Sequence, residues 1–149
     1  DDFDPEPVVT RLMHALARNP KGFFLMVEWD MHAKKLLLGL NRVIVMDRLI
    51  RRIAAEAPAD TLILYAADHS YDLRLRGGNR STPLADQVVA NLKANTPPEK
   101  SVLRVDDVHT GEEVLVAAQG PGAERVRGFI PNTRIFQIMM EAYGWAETP

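Results

Sequence analysis

Two short, unbroken apolar runs, each closing on a cluster of acids and histidine, constrain this chain more than any other feature. Phe23-Phe24-Leu25-Met26-Val27 ends in Glu28-Trp29-Asp30-Met31-His32, and Thr61-Leu62-Ile63-Leu64-Tyr65-Ala66 leads into Ala67-Asp68-His69-Ser70. Runs of this kind suit strands covered on both faces, which requires helices packed above and below the sheet. The residues between them supply such a helix. From about Ala33 to Ala57, Leu36, Leu40, Val43, Met46, Ile50 and Ile53 form one stripe, with Lys35, Arg42, Arg51 and Arg52 largely off it. Pro58 stops the pattern.

The remaining segments extend the alternation. Pro5 to Arg18 carries Val8, Val9, Leu12, Met13 and Leu16 at helical spacing, and Asn19-Pro20 ends it. Tyr71 to Arg80 alternates like a strand but contains Gly77-Gly78, which predicts a loop or edge hairpin. Thr82-Pro83 opens a helix with Pro at its first position, carrying Leu84, Val88, Val89 and Leu92. After the polar connection from Asn95 to Lys100, Val114-Leu115-Val116-Ala117-Ala118 predicts a third strand, followed by a Gly120-Pro121-Gly122 turn. Asn132 or Thr133 is placed to cap a last helix bearing Ile135, Phe136, Met139 and Met140, with Gly144 placed to end it. Strands alternating with helices predict a layered α/β/α fold with a mostly parallel sheet. A length of 149 residues fits a single domain over the whole chain, 1–149.

Composition narrows the partners. The net charge is -2 with no long basic block, which gives no reason to expect nucleic acid. No apolar run approaches the roughly 18 residues of a membrane span, so no membrane partner is expected. Cysteine is absent, so any metal must be held by carboxylates and imidazoles. The N-terminal Asp1-Asp2-Phe3-Asp4-Pro5 has no signal-peptide pattern; it fits a cytoplasmic protein, or a chain that begins within a longer one.

Three of the four histidines sit beside carboxylates at predicted strand ends or just before a strand. Glu28, Asp30 and His32 follow the first strand, and Asp68 and His69 follow the second. His109 lies between Asp106-Asp107 and Thr110-Gly111-Glu112-Glu113. Ligands of open α/β sheets gather at the carboxyl ends of strands, and an Asp/His donor set suits zinc or a similar divalent ion. Each cluster also has a plain reading. A strand-end carboxylate is usually solvated, and an Asp-His pair can fill a turn. His14, near the stripe of the first helix, reads as packing or surface. Spacing alone leaves both readings open.

The ordered series does more. Phe23-Phe24-Leu25-Met26-Val27-Glu28, Ala67-Asp68-His69-Ser70, His109-Thr110-Gly111-Glu112 and Gly120-Pro121-Gly122-Ala123 resemble successive motifs of the alkaline phosphatase family, in that family's order. The resemblance runs from the first helix to Asn132-Thr133 and the closing helix. It implies that Glu28 binds magnesium, that Asp68 and His69 belong to the second of two zinc sites, and that His109 belongs to the first. Asp30 and His32 are the matching candidates for the other ligands of that first site. Here the sequence departs from the usual pattern, because Glu28-Trp29-Asp30-Met31-His32 is compressed and Ala33-Lys34-Lys35 replaces expected polar residues. In an extended segment alternate residues point the same way, so the three could still face one pocket.

The larger departure is an absence. The family's nucleophilic serine and phosphate-binding arginine match nothing here, and Ser70, Ser81 and Ser101 lack their context. The resemblance therefore implies the C-terminal part of a phosphomonoester hydrolase acting through a phosphoserine intermediate. The nucleophile would lie outside this chain, and the chain alone would be inactive. The implied cofactors are two zinc ions and one magnesium ion, with a phosphate monoester as substrate. The implied parent is periplasmic or secreted, and dimeric. Two alternatives are a fragment of a related phosphodiesterase or sulfatase, and a non-catalytic metal-binding or interaction domain.

Overall fold

The computed structural model describes residues 3–31 and 36–145. The chain divides into two compact units, one made of residues up to Leu64 together with those from Ala117 onward, the other of Tyr65–Val116.

The first unit is mainly helical. Helix α1, Glu6–Leu16, starts behind Pro5 with Asp4 accepting a hydrogen bond from the Glu6 amide at 3.0 Å. It buries Val9 and Met13 and packs on α2, Leu36–Glu56. His14 meets Glu56 across this contact at 3.2 Å. On α2 the predicted stripe holds at Met46, Ile50 and Ile53, which are half-buried, and fails nearer the start of the helix. Leu49 is buried and Arg42, Val45 and Ile53 are half-buried, whereas Leu40 and Val43 are exposed. The helix is apolar on more than one side, so periodicity alone could not identify which side meets α1. The last helix of the unit, α4, Asn132–Ala142, buries Ile138 completely. Pro131 takes its N-cap, so neither Asn132 nor Thr133 does. Its end follows the prediction. Gly144 takes φ +68°, its amide bonds Glu141, and the Trp145 amide reaches back to Met140.

In the second unit, β2 (Ser70–Leu75) pairs antiparallel with β3 (Leu103–Thr110). Of the loop or edge hairpin expected from Tyr71 to Arg80, a strand forms, paired with a segment beyond the next helix rather than with its neighbour in sequence. Helix α3, Leu84–Lys93, fixes the connections through two side-chain amides. Gln87 bonds Asn79 in both directions and the Thr82 carbonyl, and Asn91 accepts from the Val102 amide and the Ser101 hydroxyl.

Strand β1, Ile63–Ala66, pairs with β4, Val116–Gln119. The Ala67 amide donates to Leu115 at 3.4 Å, and Gly120 lies against the Thr61 carbonyl, so this pair is antiparallel too. The fold is mixed α/β, but a layered, mostly parallel sheet does not form among the described residues. The decisive difference is the 23–27 run. It joins neither sheet, and Phe24 and Met26 stay 62% and 76% exposed while Phe23, Leu25 and Val27 are half-buried. That alternation marks an extended backbone. Extension is dictated locally, whereas a strand needs a hydrogen-bonding neighbour that the segment itself cannot supply.

Candidate metal centre

The second unit brings together three of the predicted ligands. Asp68 and His69 lie in the turn between β1 and β2, and His109 is the penultimate residue of β3. Register does the rest. Tyr71 stands opposite His109 and Ser70 opposite Thr110, after an irregularity between Tyr71 and Leu73. The His69 and His109 rings stack at 3.7 Å between centroids with 17° between planes. Tyr71 meets both edge-on, at 5.0 and 5.5 Å. His109 thus lies within a strand, not before one as the sequence predicted.

The hydrogen bonds of His69 define its chemistry. Its Nδ1 lies 3.2 Å from the Ser70 carbonyl, a contact that requires the proton on Nδ1. The other nitrogen, Nε2, lies 3.3 Å from Asp68 Oδ2. Two electron-pair donors at that distance repel unless a cation, proton or metal, joins them. A backbone carbonyl accepting from the far nitrogen is also the usual way a ligating imidazole is oriented. The donor chemistry therefore fits zinc. Convergence is a separate matter. Lone pairs of stacked rings lie in neighbouring planes and do not meet at one point, and among the described residues no three His, Asp or Glu side chains are arranged to hold a single ion.

In the first unit, Glu28 and Asp30 continue the extended run. Both are exposed, with half-buried Trp29 between them and 6.1 Å from Phe3. His32 lies outside the described residues. Two participants escaped the sequence reading. Tyr71 lies in β2, just past the turn that holds His69, and nothing in the sequence marked it. Arg42, which contacts Asp30 at 3.2 Å from well along α2, carried no sequence signal.

The family model for alkaline phosphatase matches residues 6–99. The chain belongs to the alkaline phosphatase family. Glu28, Asp30, His32, Asp68 and His69 fall inside the matched stretch, and His109 beyond it. Alkaline phosphatase of Escherichia coli K12 is 27% identical over 148 residues, covering 90% of this chain. The tissue-nonspecific alkaline phosphatase isozyme of Felis catus is 30% identical over 85% of the chain. Streptomycin-6-phosphate phosphatase of Streptomyces griseus is 30% identical over 92%. The chain spans 30–33% of the length of these relatives. No solved structure matches it. Membership makes this a chain of a phosphatase-type hydrolase family.

Proposed function

We propose that the chain is the metal-binding C-terminal part of an alkaline-phosphatase-type phosphomonoesterase, one catalytic domain whose nucleophilic serine lies in another part of a longer protein. The observation that carries this reading is the meeting of Asp68, His69 and His109 at the joined ends of β2 and β3. Stacked rings aim their lone pairs in neighbouring planes, which is in keeping with His69 and His109 serving neighbouring ions rather than one. Asp68 and His69 would hold the second zinc. His109, with Asp30 and His32, would hold the first, and Glu28 would hold magnesium. The apolar residues left exposed in both units support the longer-protein reading.

When bound, the ions supply positive charge to a phosphoryl group and to the oxygens entering and leaving it. The residues of this chain do the holding. Ser70 fixes the His69 tautomer through its carbonyl, Tyr71 braces both rings, and Asp68 supplies negative charge beside Nε2. The substrate is a phosphate monoester, and the phosphorylated small molecule named for the Streptomyces relative is in keeping with that. A periplasmic or secreted, dimeric parent accords with the family.

The test is a zinc titration of the chain beside His109→Ala, His69→Ala and Asp30→Ala. Saturable uptake weakened by each substitution is the expected result. Uptake indifferent to all three, or none by the unmodified chain, would overturn the metal reading. The longer protein should turn over a monoester in preference to a diester or sulfate ester, and the chain alone should turn over none of them. Preference for a diester or sulfate ester would move the protein to the corresponding alternative class.

A further inference from the structure

The turn after α1 and the end of α4 border a cavity of about 460 Å³ in the first unit, with Asn19, Lys21, Phe23, Phe24, Tyr143 and Trp145 in its lining. The backbone fixes its aromatic wall. Asn19 closes the turn, accepting the Lys21 amide through Oδ1 at 3.1 Å and the Gly22 amide through its carbonyl at 3.0 Å. Gly22 takes φ +85° and lies so near Tyr143 that a Cβ there would meet the ring at 3.8 Å. The Tyr143 hydroxyl donates to the Phe23 carbonyl. Past Gly144, the Trp145 amide reaches back to Met140, and the indole stacks on the Tyr143 ring at 4.4 Å between centroids with 14° between planes. The stack covers one face of the indole, yet Trp145 remains 65% exposed and Phe24, in the same lining, 62%. Lys21 supplies the charge of this lining. It is exposed, and among the described residues its ammonium has no hydrogen-bond or ion-pair partner.

We propose that this cavity is a binding site for an aromatic anion, a planar ring carrying a phosphate-type group, with the ring on Trp145 and the anion at Lys21. The wall selects the ring. An indole already held flat by its neighbour and its backbone loses little freedom when a second ring stacks on it, so most of the stacking energy appears as affinity. The ammonium selects the anion, lysine acting toward phosphate as a point charge. A neutral ring would use the wall alone, and a bare anion the ammonium alone; a molecule that carries both uses the whole lining. The volume is in the range of small-molecule sites. None of the proposed metal ligands lines this cavity, so the proposal does not depend on the metal reading.

The experiment is a calorimetric titration of the chain with naphthylphosphonate, whose ring and anion are joined without an ester bond, beside methylphosphonate and naphthol. The joined probe should bind more tightly than either half. Trp145→Ala should weaken it by about 5- to 150-fold, the range for removing a stacking ring. Lys21→Gln should weaken it by about 2- to 5-fold and abolish the salt dependence of binding, and Lys21→Arg should restore both. Circular dichroism of each variant checks that the helices persist. Phe129→Ala, which removes an 81% exposed ring outside the cavity, should change nothing. A loss in Phe129→Ala equal to that in Trp145→Ala would overturn the proposal in favour of general adsorption to apolar surface. Naphthol or methylphosphonate binding as tightly as the joined probe would overturn it by removing the anion or the ring from recognition. The longer protein should keep the dependence on Trp145. A dependence confined to the chain alone would also overturn the proposal, because the rest of the protein would then cover this face.

Discussion

Gly120 holds φ at +95°, and a Cβ built there would lie 2.1 Å from the Thr61 carbonyl oxygen. Two costs coincide, a left-handed backbone that costs other residues about 1–3 kcal/mol and a clash with main chain that no rotamer change relieves. Gly120→Ala should therefore lower unfolding stability by about 2 kcal/mol or more, read as a reduced urea midpoint. An unchanged midpoint would mean that the approach to Thr61 is not maintained in solution. The sequence announced a turn at Gly120-Pro121-Gly122, and the turn is there, with the Ala123 amide bonding the Gly120 carbonyl. It did not announce that the turn closes against Thr61. The candidate ligands divide the same way. Asp68, His69 and His109 were legible as metal-type donors from their identities and motif order. That two of them stack ring on ring was not, because they are joined by register across β2 and β3 rather than by proximity along the chain.

Among elements, the helices were the more readable class. Residues 6–16 and 132–142 form α1 and α4 close to where their periodicity and their Pro and Gly signals put them. Their burial rests on few side chains: among the described residues only Met13 and Ile138 are the largest fully buried ones. Ile138→Ala should cost about 2–5 kcal/mol, the range for deleting a large aliphatic side chain from a core, measured by thermal or urea unfolding. A loss below about 1 kcal/mol would mean that α4 is not anchored through Ile138. Strands were less readable, for a physical reason. A helix satisfies its backbone within itself, whereas a strand borrows its partner from elsewhere. The 23–27 run shows the difference: it was predicted as a strand covered on both faces, yet it found no neighbour and leaves Phe24 and Met26 exposed. The β2 segment shows the converse. Alternation and the glycines at 77 and 78 left a loop or an edge hairpin open, and residues 70–75 found β3 and formed a ladder that ends before the glycines.

For the molecule as a whole, apolar surface is the outstanding property. Among the described residues only Val9, Met13, Leu49, Val88 and Ile138 are buried hydrophobics, while Phe24, Met26, Ile44, Leu115, Phe129 and Trp145 are each more than half exposed. Exposed apolar groups in such number favour binding to anything that covers them. The chain alone should enhance the fluorescence of a hydrophobic dye such as ANS and sediment with concentration-dependent mass. A dye-silent, strictly monomeric chain would contradict the proposal that it belongs to a longer domain. By itself the sequence determined which stretches coil into helices, where they stop, which residues are metal-type donors and to which family the chain belongs. These depend on local periodicity, on caps and on residue identity, all of which are written along the chain. Only the tertiary structure decided that both strand pairs are antiparallel, that α2 turns Arg42 inward toward Asp30, and that His69 lies against His109. Each of those depends on a contact between segments distant in sequence, where many pairings share the same local preferences and only packing and hydrogen-bond satisfaction select one.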